Sequence, residues 1–257
     1  MEGEWASRAS YCPKTEVADP LLPQRYSIFS SNKLFLKTFH DERDALLYLF
    51  LDTSRSMAFG GKIEQAKKLA AALGYLTLAC HDRVEAWLFA DKMLSRSQRF
   101  TGKQSAYRLF DILQQVEASE PGIDGSLSWL LRGGVPSEPG ILVLLSDFLF
   151  VDGYQEGLRR LQAGRHQVVV VQVLCRGELD PQFVGDLHLI DSENGIGRDV
   201  AISPHMLQRY KQAVAGYTSE LQDFCRRRGM FYVLVPAEEN LEDVLFRRLP
   251  ASGVIRG

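Results

Sequence analysis

The chain has 257 residues, 46% of them hydrophobic and 24% charged, with a formal net charge of −2. That length holds one large α/β domain or two small ones, and the apolar fraction can fill a full core. The near-neutral balance and a pI of about 6.2 give no bulk reason to expect nucleic acid or an acidic membrane surface as a partner.

Four cysteines, Cys12, Cys80, Cys175 and Cys225, are scattered without a C-x-x-C pair, which argues against a zinc site and a disulfide framework. Cys80, Cys175 and Cys225 sit in apolar segments and are expected to be reduced core residues. No apolar run reaches the roughly 18–20 residues that span a bilayer. Met1 to Pro23 is polar and broken by Pro13, Pro20 and Pro23, unlike a secretory signal. The expectation is a cytoplasmic protein.

Residues 1–30 show little periodicity and are expected to form an extended arm. An amino-terminal extension, 1–32, is separated from the main domain, 33–257. Lys33 to Phe39 alternates as a strand does, and the charged knot His40 to Asp44 turns the chain. Ala45 to Leu51 is then apolar throughout, which suits a strand buried on both faces of a parallel sheet. It ends at Asp52.

A loop at Phe59-Gly60-Gly61 precedes a helix predicted over Lys62–Cys80. Its apolar stripe is Ile63, Ala66, Ala70, Leu73 and Leu76 or Thr77, and its solvated face is Lys62, Glu64, Lys67 and Lys68. Arg83–Ala90 reads as a strand, with Met93–Phe100 as an edge partner. Ser105–Val116 is an amphipathic helix with Ser105 as its cap. After a loop at Pro121–Asp124, Ser126–Arg132 is a short helix. Gly140–Ser146 is a second buried strand, ending at Asp147.

Tyr154–Ala163 is a helix, and Gln167–Cys175 a β-branched buried strand. Asp186–Ile202 reads as a hairpin turning at Glu193-Asn194-Gly195. Pro204 opens a helix to about Arg228. Met230–Val235 is the last strand and Leu241–Leu249 the last helix. Alternating strands and helices imply a doubly wound, mostly parallel α/β sheet of Rossmann-like type.

Asp52, Ser54 and Ser56 lie two positions apart at the tip of the first buried strand. Small oxygen-bearing side chains there can converge on a hard cation such as Mg²⁺, Mn²⁺ or Ca²⁺. Open α/β sheets also place their ligands at that edge. The alternative is that Asp52 or Ser54 caps a following helix. Asp147 ends the other buried strand and is expected at the same edge. The histidines, His40, His81, His166, His188 and His205, are isolated and read as surface or loop residues. No nucleophile with a matched base is apparent.

Asp52-x-Ser54-x-Ser56 and Leu144-Leu145-Ser146-Asp147-Phe148 resemble the first and third loops of the metal-ion-dependent adhesion site of von Willebrand factor A domains. With Lys62-x-x-x-Ala66, Arg198-Asp199-Val200, Ser203-Pro204, Tyr210 and Cys225, the chain resembles the bacterial von Willebrand factor A-like domain of unknown function 58 family, encoded beside MoxR-type AAA+ ATPases. The resemblance covers roughly residues 33 to 250.

It implies a von Willebrand factor A-like fold and a non-enzymatic interaction module working with a MoxR-type ATPase in complex assembly or metal insertion. The implied ion is held open for a carboxylate of a client. In the middle loop the family has Gly-Thr-Asp-Leu, whereas this chain has Gly122-Ile123-Asp124-Gly125-Ser126-Leu127. Asp124 or Ser126 would supply the oxygen there, or the ligand is missing; Asp124 can equally cap the helix near Ser126. A metal-free scaffold is the second reading. A Mg²⁺-dependent phosphatase is the third, although Ser54 stands where its second aspartate would be.

Overall fold

Every residue of β1 (Leu46–Asp52) is buried. A strand covered on both faces must be apolar at every position, and LLYLFL satisfies this until the carboxylate at its end. The computed structural model describes residues 45–118, 125–132, 134–182, 185–190 and 197–253, with only the backbone course of 185–190 and 197–202. The expected amino-terminal arm and the strand over 33–39 lie outside the described residues. So do the 32/33 boundary, Cys12, His40, Asp124 and the turn at 193–195.

β1 lies between β2 (Arg83–Phe89) and β5 (Ile141–Ser146), parallel to both. β5 continues to β6 (Gln167–Leu174) and then β9 (Phe231–Pro236), again in parallel. Two short antiparallel strands, β3 (Met93–Arg96) and β4 (Phe100–Thr101), pair with β2 at the far side. The order is β3-β2-β1-β5-β6-β9. The chain therefore winds one way from β1 through β2 and the other way from β5 onward. This is a doubly wound, mostly parallel α/β fold. Its topological switch lies between the carboxyl ends of β1 and β5, where such sheets bind ligands.

Period-2 alternation sends two sets of side chains to two cores. Leu47, Leu49, Leu51, Val143, Leu145 and Val171 pack under α1 (Lys62–Ala79) and α2 (Ala106–Gln114). Tyr48, Phe50, Leu142, Leu144, Val168 and Val170 pack under α3 (Gln155–Ala163) and the buried end of α5 (Pro204–Arg227). Each fully buried large side chain contributes about 1.5–3 kcal/mol, and β1 supplies both layers at once. Ser203 caps α5, its hydroxyl accepting from Met206 N at 3.2 Å.

The hairpin expected over Asp186–Ile202 is a separate antiparallel pair, β7 (Gly185–Ile190) and β8 (Gly197–Ile202). Among the described residues no helix is long and apolar enough to cross a membrane.

Several expectations change. Ser105 does not cap α2: its hydroxyl donates to Thr101 O at 2.7 Å, and the helix grows from a 3-10 turn at Lys103–Ser105. The last helix is broken into α6 (Leu241–Asp243), a π turn at Val244–Arg248 and α7 (Leu249–Ala251). A short helix not foreseen, α4 (Arg176–Leu179), follows β6. The stripe of α1 runs Ile63, Ala66, Ala70, Gly74 and Leu78, and Leu76 is exposed.

Cys80 is exposed, while Cys175 and Cys225 are buried thiols. His166, expected at the surface, is buried. It faces the edge of Tyr48 with ring centroids 5.5 Å apart, and its Nε2 lies 3.1 Å from Pro136 O.

Candidate functional site

The register pairs Leu51 with Leu145, so Asp52 and Ser146 emerge side by side and Asp147 follows one residue later. Ser146 donates its hydroxyl to Asp52 Oδ2 at 2.6 Å, and Ser54 N donates to Asp52 Oδ1 at 2.8 Å. The Ser54 and Ser56 hydroxyl oxygens lie 3.2 Å apart. Asp52, Ser54, Ser56, Ser146 and Asp147 are all buried. Burial, and then the negative charge of Asp147, push the Asp52 carboxyl up to about 7, against the pull of its serine donors. Ser54 does not act as the helix cap that the sequence left open, since its side chain makes no cap bond to the 3-10 turn at Arg55–Gly61 that follows it.

Asp147 is positioned by its neighbours on several elements. Its Oδ1 accepts from Leu149 N at 3.1 Å. Its carbonyl accepts from Gln172 of β6 at 3.0 Å, and Gln172 Oε1 in turn accepts from Tyr232 of β9 at 2.7 Å. The next residue, Phe148, is fully buried with φ of 62°. That left-handed conformation costs a non-glycine residue about 1–3 kcal/mol. It is held by Phe148 N donating to Ser146 Oγ at 2.8 Å and by the Tyr217 hydroxyl donating to the Phe148 carbonyl.

Among the residues of the site, Lys62 was placed wrongly by sequence reasoning. It was expected on the solvated face of α1, yet it is fully buried. Its Nζ lies 2.8 Å from Asp147 Oδ2 and 2.6 Å from Glu178 Oε1 on α4. Burial works against the ammonium, but the two carboxylates outweigh it and raise its pKa above the ordinary lysine value. Glu178 is fixed by Cys175 N, which donates to its Oε2 at 2.9 Å.

Two consecutive left-handed glycines, Gly60 and Gly61, start α1 at the point where Lys62 reaches this pair. A Cβ on Gly60 would stand 2.4 Å from the Cys175 Cβ. A signal for Lys62 was present in the sequence: a lysine in the first turn faces the positive end of the helix dipole, a poor place for an unpaired cation.

The middle loop reaches the site through its backbone. A Cβ on Gly125 would lie 3.1 Å from Ser54 Oγ and 2.8 Å from the Phe150 ring. The Ser126 side chain turns elsewhere, its hydroxyl donating to Asp152 Oδ2 at 2.6 Å and accepting from Ser128 N at 3.0 Å. Asp52, Ser54, Ser56 and Asp147 thus come together and Ser126 does not join them.

Their donors, two carboxylates and two hydroxyls, are of the kind a hard cation takes. One of those carboxylates already holds Lys62. Among the described residues no three His, Cys, Asp or Glu side chains gather as a metal cluster, so an ion here would lean on the serines.

A family model described as a protein of unknown function, DUF58, matches residues 30–220. This chain belongs to the DUF58 family. A relative, the uncharacterized protein Rv1480 of Mycobacterium tuberculosis, is 26% identical over 194 residues, covering 73% of this chain and 61% of its own length. The chain thus spans about three-fifths of that relative. The uncharacterized protein MAV169 of Mycobacterium avium is 29% identical over 138 residues, covering 53% of this chain and 81% of its own.

Among solved structures, similarity extends to BatB of Bacteroides thetaiotaomicron, at TM-score 0.48 and 14% identity over 82% of this chain and 100% of that one. A von Willebrand factor type A protein of Catenulispora acidiphila gives TM-score 0.41 and 16% identity over 67% of this chain and 42% of that one.

Proposed function

We propose that this DUF58 chain is a non-enzymatic protein-interaction module that docks a client carboxylate at the carboxyl edge of β1 and β5, acting in the cytoplasm as an adaptor for a MoxR-type AAA+ ATPase in complex assembly or metal insertion. The observation that carries it is the convergence of Asp52, Ser54, Ser56 and Asp147 at the topological switch. A Mg²⁺ ion, or Mn²⁺ or Ca²⁺, held by those residues would supply an electron-poor centre for the client's carboxylate.

The surroundings support a protein partner. Phe59, Leu149 and Val151, in the loops that follow β1 and β5, are 57%, 45% and 82% exposed. Exposed apolar side chains around a polar centre are what a protein partner covers. Ser54 is buried and its hydroxyl faces Ser56. It cannot replace the acid–base aspartate a phosphatase needs, because an aliphatic hydroxyl does not ionise near neutral pH.

A metal-free scaffold is the second reading, and the Lys62–Asp147 pair favours it.

The test is capture of a MoxR-type ATPase by the purified chain in Mg²⁺ and in EDTA, with wild type and Asp52→Asn. Capture lost in EDTA and in Asp52→Asn supports the metal-dependent reading. Capture unchanged in EDTA supports the scaffold. No capture in any condition sinks the adaptor.

A further inference from the structure

Lys62 is charged, fully buried, and shared between a carboxylate of the candidate site and one outside it. Its Nζ is 2.8 Å from Asp147 Oδ2 and 2.6 Å from Glu178 Oε1. The second partner comes from a different element, α4 after β6, and Glu178 is itself anchored by Cys175 N. A lone buried ion pair would have satisfied Asp147. A second, fixed acceptor for the same ammonium gives it somewhere else to bond when Asp147 is engaged.

We propose that Lys62 is a built-in counter-cation of this site, which competes with a divalent ion for Asp147, and that Glu178 is the acceptor that retains the ammonium when an ion takes Asp147. The inference rests on the metal-dependent form of the proposed function.

The physical argument is charge balance. Three carboxyl groups, those of Asp52, Asp147 and Glu178, gather around one ammonium, so the carboxyls outnumber the cation. A cation ligated by Asp147 would nevertheless sit within a few ångströms of the ammonium, in an environment from which water is excluded. Like charges so placed repel strongly. Lys62 therefore lowers the affinity of the site for metal, and the Glu178 carboxylate limits that penalty by holding the ammonium back. Among the described residues Asp147 Oδ1 accepts from Leu149 N alone, so an oxygen remains for a ligand role while Oδ2 gives up its lysine.

The test is calorimetric titration of Mn²⁺ into the full chain as wild type, Lys62→Met, Glu178→Gln and the double variant, with circular dichroism confirming that each is folded. Lys62→Met is expected to bind Mn²⁺ at least tenfold tighter than wild type. Glu178→Gln is expected to bind more weakly than wild type. The double variant should match Lys62→Met, because Glu178 acts only through the ammonium. Affinity in Lys62→Met equal to or below wild type overturns the proposal. A double variant weakened by the same factor as Glu178→Gln alone removes Glu178 from it.

Binding by Lys62→Met with none by wild type supports the lysine's role, while ending metal dependence of the natural protein. Tight binding by wild type with no gain in Lys62→Met ends the lysine's role and leaves metal-dependent docking standing. Absence of binding in every protein overturns both. If Lys62→Met does not fold, Glu178→Gln decides: binding as tight as wild type or tighter overturns the proposal.

Discussion

Ser146 and Asp52 are joined across the seam between β5 and β1, the serine hydroxyl donating to Asp52 Oδ2 at 2.6 Å. The Ser146 hydroxyl oxygen also accepts from Phe148 N at 2.8 Å. One buried hydroxyl thus orients the first loop's carboxylate and fixes the backbone that aims Asp147. Ser146→Ala leaves a buried N–H and a carboxylate oxygen short of a partner, at an expected cost of about 2–3 kcal/mol. Ser126→Ala, which removes more exposed bonds to Asp152 and Ser128, should cost about 1 kcal/mol or less. Urea unfolding midpoints of the two variants check the contrast.

Gly60 combines a left-handed backbone with van der Waals crowding against Cys175. Gly60→Ala should destabilise by more than about 1 kcal/mol, since both terms oppose the new methyl. Gly216 in α5 has open space around its Cβ position, and Gly216→Ala should be neutral or stabilising by up to about 1 kcal/mol. Thermal melts of both variants measure this, and equal losses would contradict the argument.

His166 gives a pH dependence whose sign is fixed by its burial, which holds its pKa below the ordinary value despite the backbone carbonyl bonds that oppose the shift. The unfolded chain takes up a proton at about pH 6.5, before the folded chain does. The stability His166 contributes is therefore present above that pH and is lost as pH falls through 6.5 toward the folded value. Urea midpoints at pH 8 and pH 5.5, for wild type and His166→Gln, should show the wild-type advantage shrinking at the lower pH. A constant or growing difference would contradict the burial argument.

Much of this was legible in the sequence, for a physical reason. Buried parallel strands must be apolar along their whole length, so Ala45–Leu51 and Gly140–Ser146 announced themselves, and the aspartates ending them marked the shared edge. Lys62 was misplaced despite its unfavourable position in the first turn, because charge on an amphipathic helix ordinarily faces solvent and its partner Glu178 lies 116 residues away. The family resemblance offered Ser126, as an alternative to Asp124, in the place of the missing threonine, but its direction is set by Asp152 in another loop. The broken helix after Leu241 could not be seen in local propensity, since a single π turn inside a helix is too short to change the apolar pattern.

The exposed apolar residues around the site provide a separable prediction. Phe59→Ser and Val151→Ser remove exposed surface without opening a core, so each should change stability by about 0.5 kcal/mol or less. Capture of a MoxR-type ATPase should nevertheless weaken at least tenfold in the double variant, as measured by biolayer interferometry. Unchanged capture would place the partner elsewhere on the chain.

Hydrogen–deuterium exchange of the chain with and without a MoxR-type ATPase tests the central claim most directly, because it reports where the partner sits. Docking at the carboxyl edge predicts new protection over residues 53–61 and 147–153, the loops that follow β1 and β5. Protection confined to the opposite edge, at residues 138–140 and 165–167, would contradict it.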